Sequence, residues 1–387
     1  MITRLQVRNF KSLRELDLQL GPVNVLVGPN MGGKSNIIDV FRFLQELTFP
    51  RSTDGLSYAL AQRGSIDELI WKGPTDSLIR ICVEADLKKG KSRCQYELEI
   101  IGGRGGFAQI PKESLKVSEG SLSADLIVDE GPNRWLANAD GGKLVSTTRS
   151  RSALQNAPEN WDGYGLVEFV RAWRFYQLLP QIMKERNPTG SGEVLEPYGR
   201  NLSAWLMVLQ TRYREAFSRI DEVARDVLPG LRGLLTWPTQ EGTVHLAAQE
   251  FGLNRPVTVW QMSDGELAFL ALLSLIYSPD ELSASLFCIE EPENHLHPRL
   301  LSVLIKLMRQ VRTEIESSGE LAQLVITTHS PLLVDEMQLD EVIWVAKKNG
   351  ATFIVRPSGE KHLQKLLEDK DLGMADVVYS GLLAEEQ

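Results

Sequence analysis

One loop in the sequence carries the residue types that bind phosphate groups. Residues 28–35 read GPNMGGKS and match the pattern G-x-x-x-x-G-K-[ST], after a buried strand and before a helix. In this pattern glycines let backbone N–H groups face phosphate oxygens, and the helix N-terminus adds partial positive charge. Lys34 would contribute a point charge, and the Ser35 hydroxyl would bind Mg²⁺. The loop therefore predicts a nucleotide site with ATP as its ligand and Mg²⁺ as its metal.

Adjacent acidic residues follow a second buried strand. Leu286 to Ile289 is apolar and leads directly into Glu290-Glu291-Pro292-Glu293. Strands of this kind end at the sheet edge where α/β proteins bind their ligands. Two neighbouring carboxylates repel each other unless a cation lies beside them, and Mg²⁺ bound to ATP would be that cation. We therefore predict that Glu290 belongs to the magnesium shell, mainly through water, alongside Ser35, and that Glu291 orients or deprotonates the attacking water.

A histidine follows a third buried strand. Leu324 to Thr328 leads into His329, so this imidazole is predicted to reach the same sheet edge. A single histidine at a strand end is more often structural, and only its occurrence with the loop and the acids favours catalysis. His295 and His297 lack a convincing third ligand, so no zinc site is predicted. The predicted catalytic residues are Glu291, His329 and Lys34.

The phosphate loop needs a strand and a helix to position it, and the sequence provides both. Apolar residues alternate over residues 1–20, which predicts two short strands joined by a turn around residues 9–12. Val23 to Val27 is a buried strand. After the glycines, apolar residues recur from Ile37 to Leu47 at helical spacing. A strand, a glycine loop and a helix therefore follow one another directly.

The rest of the chain divides by its pattern. Residues 77–146 predict an antiparallel β meander, residues 165–228 are helical in pattern, and residues 260–330 alternate helix with strand. A hairpin turning at Asn349-Gly350 and a final short helix follow. Prolines and glycines between residues 180 and 197 exclude a long coiled-coil arm. The predicted fold is α/β with a mixed sheet core, a β-rich lobe and an inserted helical lobe. The predicted domains are 1–160, 161–232 and 233–387, of which the first and last form one split core.

Composition excludes several classes of protein. The 387 residues are 43% hydrophobic and 24% charged, which suits packed cores and excludes a disordered chain. The longest apolar run, Leu267 to Tyr277, is far shorter than the roughly 20 residues that span a bilayer. The start of the chain is charged, and the three cysteines show no C-x-x-C spacing. We therefore expect a cytoplasmic protein without membrane partners, and the net charge of −9 argues against a wholly basic nucleic-acid-binding surface.

The order of these motifs resembles that of ABC-class ATPases. The opening segment ITRLQVRNFKSLRELDLQL, the loop segment VNVLVGPNMGGKSNIID and the acidic segment FCIEEPENHLHP are similar to the N-terminal hairpin, the Walker A motif and the Walker B motif with D-loop. The nearest likeness is to the RecF, SMC and OLD group, and specifically to the AAA_21 or AAA_15 class. The likeness covers most of the chain. It implies a P-loop NTPase fold of ABC type.

The resemblance also implies a dimer. Residues 262–266, MSDGE, look like the signature motif, which contacts the γ-phosphate bound to the opposite subunit. The chain is then expected to form a homodimer around two ATP–Mg²⁺, with His329 similar to the switch histidine. Met31, Asp264 and Glu290 depart from the common family pattern. The predicted nucleotide-binding residues are Asn30, Gly32, Gly33, Lys34, Ser35, Asn36, Ser263, Gly265 and Glu266. The Q-loop glutamine stays open among Gln62, Gln155 and Gln177.

Three functions follow as hypotheses from the resemblance. The first is an ATP-hydrolysing switch that drives a separate effector, such as a nuclease in antiviral defence, because residues 330–387 are too few for the TOPRIM nuclease domain of OLD-type enzymes. The second is a RecF-like DNA-binding ATPase of DNA repair or chromosome maintenance. The third is a nucleotide-gated binding module with little turnover. In the second, DNA phosphates would meet Arg4, Arg8, Lys11 and Arg14, or Arg212, Arg214, Arg219 and Arg225, although acids intersperse the latter set.

Overall fold

The computed structural model describes residues 1–51, 54–74, 76–87, 92–102, 108–120, 122–130, 133–279, 284–316, 322–359 and 373–379. The chain groups into two compact units. Unit 1 comprises Met1–Trp173, Ala322–His329 and Met337–Gln387, and unit 2 comprises Arg174–Leu321 and Ser330–Glu336. This grouping reflects spatial proximity alone, and the division at residues 160 and 232 stays a prediction.

Helices and strands alternate along much of the chain. The helices are α1 (Lys34–Thr48), α2 (Gly55–Ala61), α3 (Ile66–Leu69), α4 (Tyr164–Arg171), α5 (Pro180–Met183), α6 (Leu202–Arg212), α7 (Arg214–Val227), α8 (Asp264–Ile276), α9 (Pro298–Glu316), α10 (Pro331–Asp335) and α11 (Met374–Tyr379). The first strands are β1 (Ile2–Phe10), β2 (Leu13–Gln19), β3 (Val23–Val27), β4 (Leu78–Leu87), β5 (Ser92–Gly102), β6 (Ala108–Glu119), β7 (Leu122–Asp125), β8 (Ile127–Glu130), β9 (Asn133–Ala137) and β10 (Lys143–Thr148). The later strands are β11 (Trp173–Tyr176), β12 (Asn187–Pro188), β13 (Leu231–Pro238), β14 (Thr243–Glu250), β15 (Val257–Thr258), β16 (Leu286–Glu290), β17 (Gln323–Thr328), β18 (Val342–Lys348) and β19 (Ala351–Val355).

The antiparallel strands of unit 1 form two sheets. One has the order β2-β1-β4-β5-β6-β7, so the N-terminal hairpin belongs to the same sheet as the predicted meander. The hairpin is confirmed, with Phe10 opposite Leu13 across a turn in which Lys11 has φ 50°. Strands β8, β9 and β10 form a separate sheet. The run SADLIVDE, predicted as one strand, is therefore divided between β7 and β8 in different sheets.

The parallel strands of unit 1 carry the phosphate loop. β3 lies between β17 and β18 and runs parallel to both, while β19 runs antiparallel to β18. The sheet is mixed, as predicted. Val25, Leu26 and Val27 are completely buried although successive side chains point to opposite faces, so both faces of the sheet are covered at β3. The β18–β19 hairpin turns at Asn349 and Gly350, both with positive φ, as the Asn-Gly pair predicts.

Unit 2 combines helices with short strands. The sheet β12-β14-β13 packs against α6 and α7, and β15 pairs with β14. Helix α8 is buried from Leu267 to Leu275, which explains why this segment is apolar on every face. The Trp205 indole N–H donates to Ser274 Oγ at 3.0 Å, which links α6 to α8. Strand β16 lies next to β11.

One segment that was predicted to be helical is a strand in the structure. The helical pattern predicted from residue 165 is wrong for Trp173–Tyr176, which forms β11 instead. Three of its four residues are aromatic, a side-chain type that favours strands, and three of the four are buried.

Among the described residues, no helix combines the length and the apolarity needed to cross a bilayer.

Candidate active site

The phosphate loop connects β3 to α1 through unusual backbone angles. Gly28 and Gly33 have φ values of 145° and 109°, and Met31 has φ 63°. Gly33 is the N-cap of α1, and no side chain caps the first turn of this 15-residue helix. The first-turn N–H groups of a helix are not satisfied by the helix itself, and together with the helix dipole they attract anions. The loop therefore has the backbone geometry of an anion site.

Lys34 is the cation of the loop. It is only 6% exposed, and its Nζ donates to Gly28 O at 2.6 Å and to Pro29 O at 3.1 Å. Because a buried ammonium group must be hydrogen-bonded, these carbonyls hold the side chain across the loop. Ser35 and Asn30 are exposed. The Ser35 hydroxyl is thus accessible to a ligand, whereas the Lys34 ammonium group is held within the loop.

Strands β18 and β19 pack closely against the glycines of the loop. A Cβ atom at Gly28 or Gly32 would lie 2.1 Å or 2.6 Å from Val345 O. One at Gly33 would lie 2.1 Å from Thr352 Oγ1. Distances below about 3 Å are not tolerated between such atoms, so these positions accept glycine alone. The motif alone gives no indication of this role for β18 and β19.

Asn36 is engaged within the protein. Its Nδ2 donates to Ser12 Oγ at 2.7 Å, and the Ser12 and Thr352 hydroxyl oxygens are 2.6 Å apart. Its predicted role in nucleotide binding stays a prediction. Ser12 and Thr352 were not among the predicted site residues, since nothing in a short motif points to side chains so distant in sequence.

His329 lies beside the start of the phosphate loop. In the parallel pair β3 and β17, Val27 is opposite Thr328, so Gly28 and His329 are the next residues on neighbouring strands. Such strands are about 4.8 Å apart. His329 is exposed at this edge. Unit 1 therefore brings together two of the predicted features, the phosphate loop and the histidine.

The predicted acids lie in unit 2 at the end of β16. Glu290 is the last residue of the strand, and Glu291 follows in the left-handed region with φ 48°. Asn294 Nδ2 donates to Glu291 Oε2 at 2.9 Å, and Asn294 N donates to Glu291 O at 3.0 Å. A left-handed conformation of a residue other than glycine costs free energy and is often found at functional sites. The turn holds the Glu291 carboxylate in one orientation.

The predicted signature residues begin α8, also in unit 2. Ser263 and Glu266 form a capping box, in which Ser263 Oγ accepts from Glu266 N at 3.2 Å and Glu266 Oε2 accepts from Ser263 N at 2.7 Å. Asp264 accepts from Lys184 Nζ at 2.9 Å and from Gln181 Nε2 at 3.1 Å. A Cβ atom at Gly265 would lie 2.9 Å from His295 O. The start of α8 thus packs against the loop that follows the acids.

The three candidate Q-loop glutamines lie in different places. Gln62 is the C-cap of α2, and the Gln155 side chain accepts from Gly55 N at 3.1 Å. Gln177 is exposed and directly follows β11, the strand next to β16. Gln177 is thus the one of the three that follows a strand adjacent to the acidic strand, and the identity of the Q-loop glutamine stays open.

The residues fit ATP and Mg²⁺ in their chemistry. Strands β18 and β19 pack closely against the glycines, no side chain caps α1 at Gly33, and Lys34 supplies a cation in the loop. Mg²⁺ usually takes only one or two protein ligands and completes its shell with phosphates and water. The Ser35 hydroxyl of unit 1 offers one such ligand, and the predicted role of Glu290 beside the same ion stays a prediction. Among the described residues, no group of three or more His, Cys, Asp or Glu side chains is arranged to hold a metal ion unaided.

Comparison with known proteins reveals one family and several relatives. Residues 23–335 match the AAA_21 family, whose description is "AAA domain" and also mentions the AbiEii toxin and a Type IV TA system. The Old nuclease of Escherichia phage P2 is 21% identical over 380 residues, which are 93% of this chain and 61% of that protein. The RecF protein of Paenarthrobacter aurescens is 33% identical over 115 residues, 29% of this chain and 25% of RecF. The chain thus spans less than two thirds of the length of these relatives.

Solved structures show the same fold. An SMC head domain bound to the C-winged helix domain of ScpA has a TM-score of 0.57 and 15% identity, covering 94% of this chain and 99% of that one. A second SMC head, bound to the C-terminal domain of ScpA derived from Pyrococcus furiosus, has a TM-score of 0.54 and 14% identity, covering 96% and 99%. The predicted ABC-type P-loop ATPase fold is therefore confirmed.

Proposed function

We propose that this chain, which belongs to the AAA_21 family, binds and hydrolyses ATP and works as a switch that dimerises around ATP–Mg²⁺. In the proposal, closure of two subunits on two nucleotides and their separation after hydrolysis change the activity of a separate effector protein. The fold and the family support nucleotide binding. Turnover, dimerisation and the effector are the steps that experiments must establish.

The parallel register of β3 and β17 is the observation that carries the proposal. It sets the phosphate loop and His329 on adjacent strands at one sheet edge, in a unit that also buries Lys34 against the loop. An ordinary glycine turn would need neither a buried lysine nor an imidazole at the neighbouring strand end. This combination suits a triphosphate, because a cation, backbone N–H groups and an imidazole all interact with anionic oxygens.

Each predicted residue has a role in the proposed reaction. The loop from Asn30 to Asn36 binds the phosphates, and Ser35 and Glu290 would hold Mg²⁺, which neutralises charge on the phosphates. Glu291 would orient or deprotonate the attacking water, and His329 would stabilise the γ-phosphate. Ser263, Gly265 and Glu266 would receive the γ-phosphate bound to the opposite subunit. Gln177 is proposed as the Q-loop glutamine.

The proposed effector is a separate protein, such as a nuclease in an antiviral defence system. The match to the Old nuclease covers 93% of this chain and 61% of the nuclease. The name of this relative motivates a nuclease as the proposed effector. The third hypothesis, a nucleotide-gated module with little turnover, differs from the proposal only in the rate of hydrolysis.

Replacement of Glu291 by glutamine tests the proposed reaction. Glu291→Gln keeps the shape of the side chain and removes its basicity, so phosphate release should fall by about 10²- to 10⁴-fold while nucleotide affinity is retained. Glu241→Gln, at an exposed carboxylate of unit 2, is the control and should hydrolyse ATP at the wild-type rate. Equal turnover in wild type and Glu291→Gln would refute the role of Glu291. Wild-type protein that binds ATP without releasing phosphate would favour the nucleotide-gated module.

Direct DNA binding is the alternative, because the matched relatives include "DNA replication and repair protein RecF". The cations of the N-terminal hairpin are engaged within the protein: Arg4 pairs with Asp17, Arg8 with Asp76 and Lys11 with Asp39, and Arg14 lies over the Trp71 ring. In α7, Arg219 and Arg225 also pair, with Glu215 and Asp221. The exposed Arg212 and Arg214 are therefore the better candidates. Affinity for duplex DNA that falls with salt and on charge reversal of Arg212 and Arg214 would favour this function. An absence of DNA binding at low salt would exclude it.

A further inference from the structure

A chain of buried hydroxyl groups reaches the phosphate loop at the carbonyl oxygen of Gly32. Thr352 Oγ1 donates to Gly32 O at 3.0 Å, and its oxygen is 2.6 Å from Ser12 Oγ. Ser12 and Thr352 are only 6% and 3% exposed. Thr352 N also donates to Ser12 O at 2.8 Å, so the strand β19 and the turn of the N-terminal hairpin are joined at this point.

The direction of every hydrogen bond in this chain can be deduced. A threonine has one hydroxyl hydrogen, and that of Thr352 goes to the Gly32 carbonyl. Ser12 must therefore donate to Thr352, and Ser12 Oγ accepts from Asn36 Nδ2 at 2.7 Å. The order of donation is Asn36 to Ser12 to Thr352 to Gly32. Reversing the Asn36 amide would take the Ser12 hydrogen away and would leave the Gly32 carbonyl without Thr352 as its donor.

The bond to Gly32 fixes the direction of the next N–H group. A peptide unit is planar and trans, so the carbonyl of Gly32 and the N–H of Gly33 point in opposite directions. Holding Gly32 O against Thr352 therefore directs the Gly33 N–H away from β19. A glycine pair would otherwise allow this peptide to rotate, because glycine adopts both signs of φ with little cost.

Packing reinforces the same arrangement. A Cβ atom at Gly33 would lie 2.1 Å from Thr352 Oγ1 and 3.0 Å from Ser12 Oγ, so the two hydroxyl groups occupy the space that a side chain at position 33 would fill. Water has little access to these buried groups to replace a lost hydroxyl. The glycine at position 33 and the hydroxyls at positions 12 and 352 therefore form one unit, although Ser12 and Thr352 are separated by 340 positions.

We propose that Ser12 and Thr352 are positioning residues that hold the Gly32–Gly33 peptide in the orientation that binds nucleotide phosphate. They contact no phosphate themselves and act through the loop backbone. The proposal rests on the proposed nucleotide binding of the loop and assigns part of its affinity to side chains outside the motif.

Two substitutions at position 352 separate the hydroxyl from the shape of the side chain. Thr352→Val keeps the volume and removes the donor, whereas Thr352→Ser keeps the donor and removes a methyl group. Affinity for Mg²⁺ with a non-hydrolysable ATP analogue would be measured by titration calorimetry, and the thermal midpoint by calorimetry of the same samples. Steady-state phosphate release gives KM and kcat for each variant.

The expected result is weaker binding in Thr352→Val and recovery in Thr352→Ser. A neutral hydrogen bond is worth about 0.5–1.5 kcal/mol, which corresponds to an affinity loss of about three- to tenfold. KM should rise by a similar factor while kcat changes less, because the loop binds the phosphates before and during the reaction. Ser12→Ala should weaken binding less than Thr352→Val, since Thr352 then keeps its bond to Gly32.

The outcomes distinguish this proposal from the proposed function. If wild-type protein binds no nucleotide, the proposed function fails. If wild type binds and Thr352→Val binds equally well, the positioning role is overturned. Equal losses in Thr352→Val and Thr352→Ser would also overturn it, because packing would then explain the effect. Should Thr352→Val fail to fold, Thr352→Ala decides the matter, and affinity in that variant equal to that of Thr352→Ser would contradict the proposal.

Discussion

Lys34 is a buried cation that donates hydrogen bonds to carbonyl oxygens of the phosphate loop. Its contacts with Gly28 O and Pro29 O hold the ammonium group in place before any ligand arrives. A side chain that is already ordered loses little entropy when a phosphate binds. The lysine should therefore contribute directly to affinity.

Lys34→Ala should reduce nucleotide affinity by at least about tenfold, because a hydrogen bond to a charged group contributes about 1.5–3 kcal/mol. Titration calorimetry with ATP and Mg²⁺ measures the change. Lys72→Ala is the control, since Lys72 is an exposed lysine of the same unit that pairs with Glu68. Full affinity in Lys34→Ala would contradict the assignment of this loop as the phosphate site.

Asp39 connects α1 with the hairpin turn and with Arg63. Its carboxylate is 2.7 Å from Arg63 NH2 and 2.6 Å from Lys11 Nζ. Burial alone would raise the pKa of Asp39, but hydrogen bonds and charges from Arg63 and Lys11 outweigh it and lower the pKa below its ordinary value of 3.8. The folded protein therefore binds this proton more weakly than the unfolded chain does.

A lowered pKa makes this contribution to stability depend on pH. The stabilisation is fully present above the ordinary pKa and is lost as the pH falls through the lowered one. Asp39→Asn should reduce the free energy of unfolding at neutral pH and flatten its decline from about pH 5 downward. Urea unfolding at several pH values measures both effects, with Asp67→Asn at an exposed carboxylate as control. An unchanged slope in Asp39→Asn would show that the pair does not couple folding to protonation.

Helix α8 begins with a complete capping box at the predicted signature residues. Ser263→Ala removes the cap and should lower the free energy of unfolding by about 1 kcal/mol. Ser263→Thr keeps a hydroxyl at the cap and should restore stability. If Ser263 also receives phosphate from the opposite subunit, Ser263→Ala will lower turnover further than its stability loss explains. Denaturant unfolding and phosphate release on the same variants separate the two roles, and turnover equal to wild type would leave only the structural one.

The sequence predicts the elements whose pattern is local. The hairpin of residues 1–20, the strand Val23–Val27, helix α1 and the turn at Asn349-Gly350 are confirmed because alternation, helical spacing and turn residues each indicate one structure. The segment Trp173–Tyr176 was assigned to a helix because aromatic residues in a short apolar run fit both patterns. Whether such a run forms a helix or a strand depends on residues distant in sequence that pack against it.

Long-range contacts account for what the sequence left unresolved. The strands β13 and β14 follow the helical segment and were not predicted, and the run from Ser123 to Glu130 was taken as one strand although it belongs to two sheets. Ser12 and Thr352 were not predicted as site residues for the same reason, since they come into contact only when β2 and β19 pack together. The predicted meeting of Lys34 with Glu290 and Glu291 stays a prediction.

Net charge bears on what the whole molecule binds. The chain carries −9, and the hairpin cations Arg4, Arg8 and Lys11 are paired with carboxylates, which reduces the positive charge there that could attract DNA. Dimerisation around ATP depends less on the net charge of the protein than DNA binding does, because the nucleotide and its metal would lie between the subunits. This favours nucleotide-driven association over direct DNA binding as the primary activity.

Dimerisation should depend on nucleotide and on hydrolysis. A ligand that binds only the closed dimer shifts the equilibrium toward it, and a variant that cannot hydrolyse the ligand keeps it there. Glu291→Gln with ATP and Mg²⁺ should therefore sediment mainly as dimers at concentrations where the protein alone is monomeric. Addition of Ser263→Arg to Glu291→Gln should abolish these dimers, because the new side chain would obstruct the proposed contact with the opposite subunit's nucleotide. Dimers that form equally without ATP, or that survive Ser263→Arg, would show that association does not proceed through the predicted signature residues.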